Sequence, residues 1–355
     1  MSRRKYPEGS IGEEHRRKAS EERHRRRDME KRISEKCIHC GQCTRNCLFL
    51  EKYGLDLSGF EDRPDLAYRC FLCGVCRRVC PVDIDGRAIG MKGRKQQVAD
   101  AGGRIPTRDY NIMLAEKRNY KFANYRHARA EQKAVLFPGC NFPSFFPETT
   151  KALVSAFGEH GIGTVFDCCG KPVQELGLEE DAQRILRRIN EKMKENGVTE
   201  IITCCPNCYW FLGDKLDMKV VSIYTKMKEL GIGRKITRPR FPMFDPCPDR
   251  TSLAFQRDVP YFLDGEIDHE AFRNVQCCGL GGSAGQLEPD LVREMARRVD
   301  EEGETLYTCC ASCISNFRRL GLLRTEHILP LIMGVTDRYP KGAGSVMNRM
   351  KFRMY

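Results

Sequence analysis

The sequence is short of several things, and each shortage excludes something. It has one tryptophan and seven histidines in 355 residues. It has no run of eighteen apolar residues, so no transmembrane segment is expected. Its opening, MSRRKYPEGS, is charged and lacks the apolar core of a secretory leader. The expected location is therefore cytoplasmic, either free or peripheral on the cytoplasmic face of a membrane through a partner. No Ser/His/Asp or paired-carboxylate constellation is visible, so hydrolysis has no support. No aromatic residues interleave the basic N-terminal run and no recognition motif occurs, which argues against nucleic acid as a partner.

Cysteine, by contrast, is abundant, with 20 residues. Without a leader, that density points away from a disulfide scaffold and toward metal. A hydrophobic content of 41% over this length allows two or three domains with real cores. The net charge of +12 is concentrated at the ends. Residues 1–36 hold 13 Lys/Arg against 8 Asp/Glu, and residues 336–355 hold 5 against 1. The stretch EEHRRKASEERHRRRDMEKR marks residues 1–35 as a solvated, charged N-terminal helix or arm. An arm that docks on an acidic partner or a membrane surface is the sharper alternative. Residues 336–355 read as a basic tail.

Residues 37–47, CIHCGQCTRNC, and 70–81, CFLCGVCRRVCP, share the spacing C-x2-C-x2-C-x3-C. This is the bacterial two-cluster ferredoxin pattern, in which the fourth cysteine of each run serves the other cluster. It assigns Cys37, Cys40, Cys43 and Cys80 to one cubane [4Fe–4S] cluster, and Cys70, Cys73, Cys76 and Cys47 to a second. Gly41 and Gly74 sit at matching places and would permit the tight backbone path. Paired four-thiolate zinc sites are the alternative, but zinc motifs rarely use this spacing. One departure stands out: Leu48 occupies the place where the pattern usually has proline, as it does at Pro81. Residues 36–130 are expected to form a helical, two-cluster ferredoxin-type domain.

Residues 131 to about 335 hold an internal repeat. The strand-like run KAVLFPGC ends at Cys140. Pro147 opens a helix that Gly158 and Gly161 close. GTVFDCCG brings Cys168 and Cys169. A helix then places Leu178, Ile185, Leu186, Ile189 and Met193 on one face, with Gly197 ending it. VTEIITCC leads to Cys205 and Cys208. The second copy brings Cys247, then Cys277 and Cys278, then a helix marked by Leu287, Leu291, Val292, Met295 and Val299 and stopped by Gly303, then Cys310 and Cys313. Strands alternating with helices predict α/β modules, 131–240 and 241–335, each with a parallel sheet. Each cysteine set follows a strand, so the sets should gather at one sheet edge. The fold class expected for the chain is thus α/β plus α-helical: the ferredoxin-like domain, then two pseudo-symmetric α/β modules.

Each copy offers five thiols, one too many for tetrahedral zinc or a single cube. The CCG motifs resemble those of the catalytic subunit of heterodisulfide reductase. The preceding ferredoxin-like block makes the chain similar to the fused form, the D subunit. The wider family includes iron–sulfur subunits of glycolate oxidase, of lactate utilisation and of anaerobic glycerol-3-phosphate dehydrogenase. The resemblance covers roughly residues 36–335. It implies a noncubane four-iron cluster on Cys140, Cys168, Cys169, Cys205 and Cys208, and another on Cys247, Cys277, Cys278, Cys310 and Cys313. One of the two could instead be zinc or a cubane. The implied activity is reduction of a disulfide held between the two modules, with electrons delivered through the cubanes. The implied partner is an electron-donor subunit, a flavoprotein or a membrane cytochrome b type. A non-catalytic relay within a flavin dehydrogenase or a larger anaerobic complex is the alternative. A shared disulfide requires the two sites to face each other, with Pro206, Asn207, Ala311 and Ser312 near the rim. Separation beyond about 20 Å would exclude it, given S–S lengths near 2 Å.

Cys204 and Cys309 are left over, at equivalent places; they read as buried free thiols, or as alternative ligands or redox-active thiols. CCGLGGSAG, residues 277–285, lacks the Rossmann spacing, so its glycines are read as letting backbone approach the cluster. Phe142, Phe145, Phe146, Tyr209 and Trp210 are read as packing that keeps water from the cluster cysteines. His160 and His327 are isolated, which suits ordinary surface or core histidines.

Overall fold

The computed structural model describes residues 32–107, 109–128 and 132–355. The charged run expected as an N-terminal helix therefore lies outside the described residues, apart from its last few positions.

The strands are short and apolar: β1 (Asn124–His127), β2 (Ala134–Phe137), β3 (Gly163–Phe166), β4 (Glu200–Thr203) and β5 (Lys219–Ser222). They form one sheet in the order β1-β3-β2-β4-β5, parallel except where β1 runs against β3. Val135, Leu136, Phe137, Ile201 and Ile202 are fully buried on both faces, as a covered parallel sheet requires. The second copy has β6 (Ile236–Pro242), β7 (Leu263–Asp268), β8 (Leu306–Thr308) and β9 (Thr325–His327). The pairs β6–β7 and β8–β9 are parallel, and one parallel bridge, Met243 to Tyr307, joins them. The resulting order β7-β6-β8-β9 repeats β3-β2-β4-β5 element for element. The protein is thus mixed α/β with a repeated module.

The repeat is unequal. A helix, Pro147–Glu159, crosses from β2 to β3, whereas turns and a short 3-10 segment, Val259–Phe262, make the second crossover. Gly158 does not close the first helix as its position suggested; it lies inside the last turn, and Gly161, at φ 70°, makes the reversal. The two amphipathic helices form, but Leu178 and Leu287, read as part of them, lie before their first turns. Glu179–Glu195 buries Ile185, Leu186, Ile189 and Met193, and Pro289–Glu301 buries Leu291, Val292, Met295 and Val299. Gly197 and Gly303, both at φ 67°, follow them.

Two features cross the expected boundaries. β1 precedes residue 131, yet is the edge strand of the first module's sheet. The basic tail is not loose: its helix, Gly344–Met354, docks on that module. Phe352 stacks on Phe166 with ring centres 4.9 Å apart, and Asn124 Nδ2 donates to Phe352 O at 2.9 Å.

Residues 32–100 form short helices around the two cysteine loops and a longer one, Gly86–Asp100. Their apolar side chains, Phe49, Leu66 and Phe71 among them, pack with Leu291, Val292 and Met295 of the second module in one core. Two buried polar groups fasten this seam. Arg94 is fully buried, and its guanidinium donates to the carbonyls of Ala67 and Cys70, of Glu175 in the first module and of Gly282 in the second. It joins three parts of the chain with no carboxylate. Glu288, also fully buried, accepts from Lys52 Nζ at 2.6 Å, Arg69 Nη1 at 2.7 Å and Tyr53 Oη at 2.7 Å.

Burial by itself would raise the Glu288 pKa, but the three donors outweigh it and hold the carboxyl below its ordinary value. A depressed carboxylate contributes stability that is present above its unfolded pKa and is lost as pH falls through the folded one. Acid should therefore loosen this seam below about pH 4, the ordinary glutamate range. Glu288→Gln should lower stability by about 2 kcal/mol at pH 7 and flatten the acid limb. Urea unfolding at pH 7 and at about pH 3, below the ordinary glutamate range, under anaerobic conditions checks both. An unchanged acid limb would show that other carboxylates carry it.

Candidate functional site

The two N-terminal loops are conformational copies. His39 and Leu72 lie at φ 52° and 51°, and Gly41 and Gly74 at φ 69° and 75°. Left-handed residues at matching positions turn three thiols of each loop to one side. Cys37, Cys40, Cys43 and Cys80 line one small cavity with Pro81 and Ile84. Cys47 lies beside Cys70 and Cys73, and Cys76 faces all three. The structure therefore gathers the two crossed sets that the spacing assigned, four thiols each.

In the first module, side-chain contacts run from Cys140 to Cys168, Cys169, Cys208 and Cys205. In the second, Cys247 meets Cys277, and Cys278 meets Cys313, which meets Cys310. All follow the carboxyl ends of parallel strands. The two sets meet: Cys205 contacts Cys310. Asn207 Nδ2 lies 3.8 Å from Cys205 Sγ and 3.7 Å from Cys310 Sγ, so those sulfurs are no more than about 7.5 Å apart. Asn141 Nδ2 makes a second cross-module tie, to Ser312 Oγ at 2.7 Å. One cavity of about 430 Å³ lies between the modules, and nine of the ten thiols line it, all but Cys168.

The donor sets suit iron–sulfur clusters. All twenty cysteines are free thiols. Among the described residues no three cysteine sulfurs fall within 4.8 Å of one another; the only such donor trio is Cys37, His39 and Asp56. Four thiolates on one zinc at about 2.3 Å would sit roughly 3.8 Å apart, so the wider sets leave room for a larger group.

The electrostatics split the thiols: hydrogen bonding to neighbouring thiols and burial push Cys140, Cys208, Cys277, Cys310 and Cys313 up, while three others are held low. Hydrogen bonds from Cys168 and Cys208 hold Cys169 low, and those from Cys208 and Cys310 hold Cys205 low. A hydrogen bond from Cys277, aided by Arg250 and Lys171, does the same for Cys247. Three cations line the cavity, Arg87, Lys117 and Lys171. Burial opposes the charge on Lys117, but Cys140, Cys168 and Glu116 hold its pKa up. Lys171 pairs with Glu175. A separate cleft of about 560 Å³ beside the seam carries Arg45, Arg78, Arg250, Arg273 and Arg298. Burial, then Arg250 and Arg273, push the Arg78 pKa down.

Several expectations need correction. Asn207 and Ser312 line the cavity, but Pro206 and Ala311 do not. Phe142 and Phe146 are buried, whereas Trp210 is 39% exposed and bonds across the modules, Nε1 to Asp249 Oδ1 at 2.9 Å. The glycines of 277–285 divide: Gly279 N donates to Cys277 Sγ at 3.3 Å and Gly285 packs on Gly279 O, within the second module, whereas Gly281 and Gly282 face the N-terminal block. A Cβ at Gly281 would overlap Phe71 O, and one at Gly282 would lie 3.0 Å from Cys70 O. These two admit the N-terminal block. Cys204 and Cys309 are fully buried in the core between the modules, do not line the cavity, and are pushed up by burial. His160 is exposed, while His327 is buried, lowered to about 3 by burial, and accepts from Leu329 N through Nδ1.

Sequence reasoning missed Arg94, Lys117, Lys171, Glu288 and Gln276, since lone polar residues carry no periodic signal. It also passed over Gly86, Gly90 and Gly93, although their spacing along one helix face was visible. A Cβ at Gly86 would overlap Cys76 Sγ, one at Gly90 would lie 3.6 Å from Cys70 Sγ, and one at Gly93 would lie 2.8 Å from Ala67 Cβ.

The model of the CCG cysteine-rich domain matches residues 134–213 and 243–318. An uncharacterised iron–sulfur protein of Methanocaldococcus jannaschii is 24% identical over 71% of this chain and 57% of its own length, so the chain spans little more than half of that relative. The B subunit of the CoM/CoB fumarate reductase from Methanothermobacter marburgensis is 23% identical over 83% of the chain and 71% of its own length. The D subunit of dihydromethanophenazine:CoB–CoM heterodisulfide reductase from Methanosarcina mazei is 22% identical over 79% of the chain and 88% of its own length. These likenesses support an iron–sulfur redox role. Among the described residues no helix is long and apolar enough to cross a membrane. The chain thus carries two CCG cysteine-rich domains and is similar over most of its length to the D subunits of heterodisulfide reductase.

Proposed function

We propose that the chain passes electrons through its N-terminal cysteine sets to the cavity between the CCG domains, where a disulfide is reduced. The observation that carries this is the single cavity lined by nine thiols from both domains, with Asn207 spanning Cys205 and Cys310. Cys37, Cys40, Cys43 and Cys80 would hold one cubane cluster, and Cys47, Cys70, Cys73 and Cys76 the other. Cys140, Cys168, Cys169, Cys205 and Cys208 would hold one noncubane cluster, and Cys247, Cys277, Cys278, Cys310 and Cys313 its counterpart. Bound there, iron–sulfur clusters supply electrons one at a time.

The overall reaction takes two electrons and two protons, breaks one S–S bond and yields two thiols. The residues around the cavity suit it. Phe71, Leu72 and Phe211 give it apolar walls. Lys117 and Lys171 place positive charge where two thiolates would form. Asn141 and Asn207 fix the domains on either side. The route inward is short: Cys73 contacts Cys277 across the seam. Cys40, exposed on the outermost set, marks where a donor would approach. That donor is a separate protein, a flavoprotein or a membrane cytochrome b type, which would hold this chain on the cytoplasmic face.

Anaerobically reconstituted protein should contain about 16 iron atoms per chain, four in each of four clusters, and should oxidise reduced viologen when supplied with a disulfide. About 8 iron with zinc would remove the noncubane assignment and keep the N-terminal one. Full iron with no disulfide-driven oxidation would favour the relay reading, to which the similarity to part of a fumarate reductase gives weight.

A further inference from the structure

Leu48 stands where the cysteine pattern usually has proline, and the consequence is an N–H that proline would lack. That N–H is buried and donates to Gln276 Oε1 at 2.7 Å. Leu48 follows Cys47 directly, and Gln276 precedes Cys277. The other end of the same amide, Nε2, lies 3.6 Å from Cys73 Sγ. Gln276 is 4% exposed, and its carbonyl accepts from Arg250 Nη1 at 2.7 Å, so the residue is held at both backbone and side chain. The orientation of the amide is fixed by chemistry. A backbone N–H can only donate, so the atom facing Leu48 is the oxygen and the atom facing Cys73 is the NH2.

We infer that Gln276 is a positioning residue that sets the electron affinity of the group held by Cys73, and that Leu48 exists to aim it. The inference rests on the reading of Cys47, Cys70, Cys73 and Cys76 as one ligand set. A hydrogen bond donated to a ligand sulfur favours the more negative, reduced state, and so raises the potential. Among the described residues, no side-chain amide donates to Cys37, Cys40, Cys43 or Cys80. Both sets accept from backbone N–H groups, Ile84 N at 3.4 Å from Cys80 Sγ and Leu72 N at 3.4 Å from Cys70 Sγ, and the Thr44 side chain reaches Cys43, so the buried amide is what the inner set has in addition. The amide should therefore raise the electron affinity of the inner set, which favours flow toward the CCG cavity. The second domain thus tunes the first block through a residue adjacent to its own ligand.

Two variants test this by different routes. Gln276→Leu removes the donor to Cys73. Leu48→Pro removes the N–H that orients the amide, and it suits the backbone. Cys47 is already extended at φ −130°, ψ 108°, as a residue before proline must be, and Leu48 opens the helix Leu48–Tyr53, where proline is accepted. Redox-titrated electron paramagnetic resonance should show the inner cubane of Gln276→Leu with about tenfold weaker electron affinity, about 59 mV at one electron. Leu48→Pro should shift the same signal in the same direction. The outer cubane should stay where it is in both. Both cubane signals present with an unmoved inner potential would overturn the inference and leave the ligand assignment standing. An unaltered chain with no cubane signals would overturn the assignment and the inference together. Equal shifts of both cubanes would mean a general loosening, and would also overturn it.

Discussion

Replacing Cys208 by serine is expected to abolish disulfide reduction while the resonance signals of the two N-terminal clusters persist, and Cys313→Ser should do the same. Each residue lies between two other thiols of its own set: Cys208 between Cys169 and Cys205, and Cys313 between Cys278 and Cys310. Neither belongs to the N-terminal sets. Serine nearly preserves volume, so the change is one of donor chemistry, a hydroxyl in place of the thiolate that binds metal. If one disulfide is shared between the domains, losing either site removes the whole reaction, and the two variants should match the double variant. Cys204→Ser and Cys309→Ser are the controls. Both positions are fully buried and outside the cavity, so a hydroxyl there costs roughly 1–3 kcal/mol of stability but leaves all clusters assembled. Substantial reduction by Cys208→Ser alone would show that one domain suffices, and the shared cavity would lose its role.

The parts of this protein that were legible in its sequence are those with a period or a spacing. Leu291, Val292, Met295 and Val299 repeat at helical intervals, and they are buried on one helix. The two C-x2-C-x2-C-x3-C runs anticipated that the thiols of each N-terminal loop lie together, and the left-handed Gly41 and Gly74 give both loops one shape. The duplicated C…CC…CxxC order, with each set after a strand, led to two thiol groups on one sheet edge.

The illegible parts are the long-range ones. Arg94 reads as one basic residue in a helix, yet its donors reach carbonyls 81 and 188 positions away. Glu288 looks like a residue before a helical proline, and its partners lie more than 200 positions upstream. Such contacts depend on how modules dock, and nothing local in the chain encodes that docking. The tail misled for a related reason: Lys351 and Arg353 face outward, but Phe352 and Arg349, which bonds Ser144 and Glu116, carry the contact with the first module. Leu48 lies between the two classes. Its departure from the pattern was visible, but the meaning of the departure required Gln276 to be brought beside it.

Gly86→Ala should cost the protein one four-iron cluster, although by local rules it is a harmless change. Gly86 opens the helix Gly86–Asp100, where Asp85 caps the end by accepting from Arg87 N. Its φ lies outside the left-handed region, so alanine adds no backbone strain, and in a helix alanine is favoured over glycine by about 1 kcal/mol. The obstacle is only space. A Cβ at this position would overlap Cys76 Sγ and lie 2.7 Å from Leu57 Cδ2. Leu57 is itself 1% exposed and has nowhere to move. The thiol must therefore give way, and with it one of four ligands on Cys47, Cys70, Cys73 and Cys76. Gly158→Ala is the matched control: Gly158 is also helical, but a Cβ there meets nothing within 4 Å. It should keep full iron and unfold no earlier than the unaltered chain. For Gly86→Ala, anaerobic iron analysis should fall by about 4 atoms with the circular dichroism of the α/β modules retained. Full iron with both cubane signals intact would mean that the helix can shift away from Cys76, and that the close approach of Gly86 is incidental to the site.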